Sequence, residues 1–132
     1  MSGAKEVKND RKYTKDHEWA RQDGKELVVG ITAFAVDQLG DITLVGLDVK
    51  VGDTVEAGKT FGTIESVKTL SDLFAPVSGK ITRINDKLED NPELVNEDCW
   101  DAGWMVAIEP TDAGGELMDA AAYAKHVEES AH

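Results

Sequence analysis

Short β-like runs punctuated by glycine dominate the chain from Gly40 onward. They are Asp41 to Leu47, Val51-Gly52-Asp53-Thr54-Val55, Gly58-Lys59 and Phe61 to Glu65. Turns at this density imply a small antiparallel sandwich or barrel. The pattern also occurs twice. Gly40-Asp41-Ile42-Thr43-Leu44-Val45 is echoed by Gly79-Lys80-Ile81-Thr82-Arg83-Ile84, and Phe61-Gly62-Thr63-Ile64-Glu65 by Met105-Val106-Ala107-Ile108-Glu109, which agree at the Ile-Glu pair. The second half carries extra residues around Asn91-Pro92-Glu93-Leu94-Val95-Asn96, read as a longer loop. Two copies are too few for a solenoid, so they are expected to pack face to face about a pseudo-twofold axis. The joining segment, Ser66 to Ser78, then crosses over at one end. Chance is the plain alternative, because valine, isoleucine and threonine recur in any strand-rich chain.

The remainder of the chain fits around this unit. Trp19 and the run Leu27 to Ile31, with Asp23-Gly24 between them, predict a hairpin. Thr32 is placed to cap a helix of about two turns near 32–39. Ala33, Val36 and Leu39 share one side of it, and Gly40 can take the left-handed cap. In the tail from Gly114 to His132, Asp119 can cap a helix with Ala120, Tyr123, Ala124 and Val127 on the face that packs against the sheet. Residues 1–12 are charged and read as a flexible lead-in, leaving 13–132 as a single domain. Val67, Leu70, Leu73, Phe74 and Val77 are spaced as on a helix face, but the flanking β-runs and the repeat favour a hairpin there.

A chain of 132 residues suits one domain, and at that size roughly two-thirds of the unfolded surface is buried. Twenty-six acidic against fourteen basic residues leave a net charge of -12. Such a surface repels nucleic acid and anionic membranes, so neither is expected as a partner. Met1 to Lys12 has no apolar signal core, which argues against secretion, although a mitochondrial protein stripped of its transit peptide looks the same. Cys99 is the one cysteine, forms no internal disulfide, and suits a reducing compartment.

Catalytic constellations are not apparent in the sequence. His17, His126 and His132 lack metal-ligand spacing, and the two in the tail read as surface histidines. Cys99 has no histidine close in sequence, and pairs such as Glu89-Asp90 and Glu97-Asp98 follow from an acidic composition. Gly114-Gly115 lacks the Lys-Ser/Thr of a phosphate cradle. Lys68 remains, inside Glu65-Ser66-Val67-Lys68-Thr69-Leu70-Ser71-Asp72 and midway between the two copies. A catalytic lysine needs desolvation. One flanked by Glu65 and Asp72 at a turn is open to a modifying enzyme and reads as an attachment point, in which the cofactor supplies the reactivity. The plain alternative is a solvated lysine.

From about Tyr13 to about Val127 the chain resembles the glycine cleavage H-protein family. The resemblance rests on His17-Glu18-Trp19, Gly30-Ile31-Thr32, Leu39-Gly40-Asp41-Ile42, Glu65-Ser66-Val67-Lys68, Ser71-Asp72, Ala75-Pro76-Val77-Ser78-Gly79, Asn91-Pro92-Glu93-Leu94-Val95-Asn96 and Gly103-Trp104, in the family's order. It implies a mainly-β barrel-sandwich hybrid of two antiparallel sheets, with Lys68 at a hairpin tip carrying lipoic acid in amide linkage. It further implies a non-catalytic, monomeric carrier that moves an aminomethyl group from the pyridoxal-phosphate-dependent glycine decarboxylase to the tetrahydrofolate-dependent aminomethyltransferase, and electrons to dihydrolipoamide dehydrogenase. A lipoate ligase or octanoyl transferase would load it. Glu65 and Asp72 would help that enzyme recognise the hairpin, and Glu18 and Asp72 would lie beside a parked arm. The location implied is bacterial cytoplasm, or the mitochondrial matrix for a processed eukaryotic protein. Two stretches depart from the family pattern. Asp98-Cys99-Trp100-Asp101-Ala102 replaces the common Asp-Pro-Tyr-Gly, and Gly46-Leu47-Asp48-Val49-Lys50 lacks a proline usual there. An H-like relay handing lipoyl or octanoyl groups to other enzymes is the alternative. A biotin carrier is disfavoured because Val67 and Thr69, not methionines, flank Lys68, and an enzyme using Cys99 or a histidine ranks last.

Overall fold

The computed structural model describes residues 8–111 and 117–130. The part of the lead-in before Lys8, the Gly114-Gly115 pair and His132 lie outside them. In chain order the strands are β1 (Lys12–Tyr13), β2 (Glu18–Asp23), β3 (Glu26–Ile31), β4 (Ile42–Leu47), β5 (Thr54–Val55), β6 (Thr60–Ser66), β7 (Leu70–Phe74), β8 (Gly79–Ile84) and β9 (Val106–Pro110). The helices are α1 (Ala33–Leu39), α2 (Lys87–Asp90), α3 (Leu94–Glu97) and α4 (Ala120–Ser130). Six strands form one sheet in the order β1-β2-β3-β9-β8-β5, three form a second in the order β4-β6-β7, and all these pairings are antiparallel. This is the mainly-β, two-sheet architecture expected, a sandwich of open sheets. Val45, Phe61, Ile64 and Leu73 of the small sheet join Val29, Ile81, Met105 and Ile108 in one buried cluster. Each fully buried side chain of this kind stabilises the fold by about 1.5–3 kcal/mol.

The repeat is visible in the pairing. β4 pairs with β6 in the small sheet, and β8 with β9 in the large one. Each pair has an irregularity at the same place, between Ile42 and Leu44 and between Ile81 and Arg83. Thr43 and Thr82 are therefore the extra residues of equivalent bulges. The register then differs: Val45 faces Ile64 in one copy, whereas Ile84 faces Val106 in the other. That slip is an even number of residues, so the buried faces of both copies are preserved.

The predicted hairpin at the start is β2–β3, although Asp23 belongs to the closing pair with Glu26 and the loop is Gly24-Lys25. Trp19 lies opposite Gly30, where a Cβ would come within 2.5 Å of the indole ring. Glycine there gives the tryptophan its seat. Thr32 caps α1, its hydroxyl oxygen accepting from the Ala35 amide at 3.2 Å, and Gly40 ends it at φ 81°. The buried residues of α1 are Phe34 and Leu39, with Ala33 and Val36 only partly covered, so the buried stripe is rotated from the one expected.

The connection that contains residues 91–96 is longer than its counterpart, as expected, but it is not without helix. Two single-turn helices, α2 and α3, put Leu88 and Val95 into the core. Asp119 accepts from the Ala122 amide at 2.8 Å as the cap of α4, which buries Tyr123 and Val127 while leaving Ala124 exposed. Packing also begins before Tyr13, contrary to the lead-in reading of Arg11. The Arg11 guanidinium lies 4.6 Å from the Trp19 ring and 5.4 Å from that of Trp100, and it donates to the Trp100 carbonyl at 2.8 Å. An arginine stacked on aromatic faces buries its stem while its charge is offset by the rings.

Candidate functional site

The segment with helical spacing is a hairpin, as the flanking strands suggested. β6 and β7 are joined by Val67-Lys68-Thr69, and all three residues are exposed. The Ser66 side chain shapes this loop: its oxygen accepts from the amides of Lys68 and Thr69, both at 3.2 Å, while its own amide donates to the Thr69 carbonyl at 2.8 Å. A serine hydroxyl satisfying amides two and three residues on is a local substitute for ladder bonds. Val67 adds a bond to the neighbouring strand, its amide donating to the Asp41 carbonyl at 3.0 Å. Lys68 is therefore an exposed side chain on an anchored backbone.

Asp41 is itself held. The Asn96 amide group donates to the Gly40 carbonyl at 2.9 Å and accepts from the Ile42 amide at 2.8 Å, gripping the chain on either side of Asp41. Gly40 serves the site twice. Its φ of 81° suits glycine, and a Cβ on it would stand 3.3 Å from Lys68 Cε, so the lysine stem lies over a bare backbone. Sequence reasoning did not assign Ser66, Asn96 or Gly40 to the site. Serine at a turn was a usable signal for the first, whereas the contact from Asn96 is long-range and left none.

Beside the hairpin is a cleft of about 510 Å³, lined among others by Glu18, Ile31, Leu39, Ile64, Leu70 and Asp72. Pockets of this volume suit small ligands. Apolar side chains make up about half of its lining, and its acidic groups are the carboxyls of Asp16, Glu18 and Asp72. Glu18 and Asp72, far apart in sequence, meet here. Glu65 does not line the cleft: it stands on β6 between Leu44 of β4 and Leu70 of β7, directly below the tip. The exposed edge of β7 forms one rim. The Phe74 amide points away from β6 and donates to a Glu18 carboxyl oxygen at 3.2 Å. By the alternation of an antiparallel strand, the amides of Asp72 and Leu70 point the same way.

Glu18 is 2% exposed, and among the described residues it has no cationic partner. Burial pushes its pKa up to about 8, against the opposing pull of hydrogen bonds from the Thr14 hydroxyl at 2.8 Å and the Phe74 amide. A buried carboxyl without a cation favours its neutral form and is suited to receive a cation brought to it. His17, the preceding residue, is not isolated at the surface. It has φ 69°, stacks near Phe34 with ring centroids 4.6 Å apart, and lies 5.4 Å from the ring of His126. His126 is thus packed against the body of the protein, and burial, with His126 nearby, lowers the pKa of His17. Among the described residues no group of three or more His, Cys, Asp or Glu is arranged to hold a metal ion. No helix among them is long and apolar enough to cross a membrane.

Two antiparallel sheets that hold one lysine out on an anchored hairpin, with a partly apolar, acid-lined cleft alongside, define a group-carrier domain. The glycine cleavage H-protein family model matches residues 11–130. The chain is 53% identical over 126 residues to the glycine cleavage system H protein of Anaeromyxobacter sp. (strain K), covering 94% of this chain and 98% of that one. It is 49% identical over 123 residues to the counterpart from Halalkalibacterium halodurans, with 92% and 95% covered. The crystal structure of a glycine cleavage system H protein from Mycobacterium marinum superposes with a TM-score of 0.84 at 41% identity, covering 96% of this chain and all of the other. The chain belongs to the glycine cleavage H-protein family, and its role is that of a lipoyl carrier in the glycine cleavage system.

Proposed function

We propose that Lys68 is the residue that carries lipoic acid in amide linkage, and that the chain performs no chemistry of its own. The observation that carries this reading is the combination of an exposed lysine on a pinned three-residue loop with an adjoining cleft whose buried carboxyl has no cation among the described residues. When attached, the group supplies a disulfide able to accept the aminomethyl unit from glycine and to be reoxidised after its delivery. The cleft fits such an arm: Ile31, Leu39, Ile64 and Leu70 offer apolar walls, and Glu18 and Asp72 offer acceptors for a cationic end. Glu18 would release its proton to solvent as an ammonium group approaches, leaving a carboxylate–ammonium ion pair inside the cleft. Ser66 and Asp41 hold the anchor. In this reading Glu65, between two leucines below the tip, is recognised by the lipoate ligase or octanoyl transferase.

Glycine decarboxylase, aminomethyltransferase and dihydrolipoamide dehydrogenase are the further partners in this reading. The carrier acts as a monomer with one domain, to which Arg11 already belongs, in the cytoplasm of a bacterium. The test is to incubate the chain with lipoate, ATP and a lipoate ligase, then measure intact mass and map the modified peptide. One lipoyl adduct on Lys68 is expected, and Lys68→Arg should stay unmodified and fail to support glycine cleavage while melting like the wild type. An adduct elsewhere, or wild-type glycine cleavage by Lys68→Arg, would overturn the assignment.

A further inference from the structure

Tyr123 of α4 is 1% exposed and stacks on Tyr13 with ring centroids 4.5 Å apart, which accounts for its ring but not for its hydroxyl. That oxygen lies 2.7 Å from Thr32 Oγ1 and 2.9 Å from His17 Nδ1. One partner lines the cleft and the other anchors an element that does. His17 lines the cleft directly and precedes Glu18, while Thr32 caps α1, whose Ala35, Gln38 and Leu39 form part of the lining.

The direction of these bonds follows from counting protons. Thr32 is fully buried, and its oxygen already accepts from the Ala35 amide. If Tyr123 donated to Thr32, the threonine proton would have no acceptor among the described residues. The arrangement that satisfies both hydroxyl donors runs from the Thr32 hydroxyl to Tyr123 and from the Tyr123 hydroxyl to His17 Nδ1. His17 is then neutral with its proton on Nε2. Burial supports that state, as does His126 facing it from α4, while the adjoining Asp16 pulls the other way. The His17 backbone needs such a tether, because φ 69° is unfavourable for a residue with a side chain. Its carbonyl accepts from the Thr32 amide at 3.0 Å, so the same two residues hold backbone and ring.

We propose that the Tyr123 hydroxyl is a positioning group for the cleft: through His17 it fixes the turn from which Glu18 enters, and through Thr32 it fixes the start of α1 opposite. The C-terminal helix thereby sets the shape of a site to which it contributes no lining residue. The functional meaning rests on the cleft being the resting place of the arm, but the positioning itself is testable in the unmodified chain.

The experiment follows the Glu18 carboxyl by NMR titration in the unmodified wild type, Tyr123→Phe and His17→Gly. Phenylalanine keeps the ring stacking and removes only the hydroxyl. Glycine accepts φ 69° without strain but offers no ring to Tyr123. The wild-type midpoint of about 8 should fall by about one unit or more, a tenfold loss of proton affinity, in both variants as water reaches the carboxyl. An unchanged midpoint in folded Tyr123→Phe would overturn the proposal, and so would an unchanged midpoint in His17→Gly, because the turn alone would then suffice. The ring nitrogens of His17 should show the Nε2-protonated form in the wild type, and a proton on Nδ1 would overturn the bond direction. In lipoylated protein, alkylation of the reduced arm by iodoacetamide should be severalfold faster in Tyr123→Phe than in the wild type. Equal rates would remove the role at the cleft, whereas failure of Lys68 to accept lipoate would strike the proposed function and leave the carboxyl titration standing.

Discussion

The two copies of the repeat share a bulge and a strand pair, yet they do opposite work. In the second copy β9 lies between β3 and β8, and Val106, Ala107 and Ile108 are all buried. The bulge residue Thr82 donates its hydroxyl to Glu26 of β3, and Arg83 pairs with Glu26 and lies over Trp104. In the first copy the equivalent Thr43 is exposed, as is Leu44, which stands where Arg83 does in the other. The β4–β6 pair is flanked on one side only, by β7, whereas the β8–β9 pair lies between β3 and β5, so the first copy forms a narrow sheet with β4 at its edge. One unit becomes foundation when neighbours enclose it and a platform when they do not. Sheet context decides the outcome more than the local sequence of the strand does.

The largest effect that would test this contrast is expected from Ile108→Ala, which opens a cavity where the large sheet is enclosed. It should cost about 2–5 kcal/mol in urea unfolding. A loss near zero would mean that the second copy is no foundation. Next comes Glu18→Gln, on the side of the platform. Folded Glu18 holds its proton to about pH 8, whereas an unfolded glutamate releases it near 4.5, so the folded state binds more protons across that window and wild-type stability falls as pH rises through it. The glutamine variant escapes this fall. It should be the more stable protein at pH 8, by roughly 1–3 kcal/mol, with the difference shrinking toward pH 5, as followed by thermal melts across pH. Asn96→Ala removes two bonds around Asp41 and should cost about 1–2 kcal/mol. Faster hydrogen exchange at the Val67 amide would tie that loss to the hairpin tip. The smallest change is expected from Leu44→Ser, within about 0.5 kcal/mol because the side chain is already half in water. A larger loss would show the platform face to be part of the core.

Much of this was readable in advance, and the failures share a physical cause. The hairpin could be inferred against its helical spacing because β-runs flank it and the internal repeat places it at the crossover between the two copies. Val67 and Leu70, counted toward a helix face, are exposed at the tip and need no buried partner. α2 and α3 were missed because single turns lie below the length at which helices form on their own strength, so tertiary burial of Leu88 and Val95 has to supply them. Arg11 was assigned to solvent for its charge, although its stem and planar head suit a slot between indoles. At the site, Lys68, Glu65 and Asp72 share one short stretch and could be grouped from it. The cleft brings Glu18 to Asp72, but Tyr123 and Asn96 reach their targets only through the completed fold. No local pattern announces a contact of that kind.

The pinned loop beneath Lys68 has a consequence for anything attached there. Because Ser66 and the Asp41 carbonyl fix the backbone, an arm bound to Lys68 turns about a stationary post instead of drifting with a mobile loop. Its far end is confined to a shell of fixed radius, which raises the effective concentration at which it meets both the cleft and any enzyme docked on the adjoining face. Once an enzyme has docked, the competition between those two destinations is an intramolecular one.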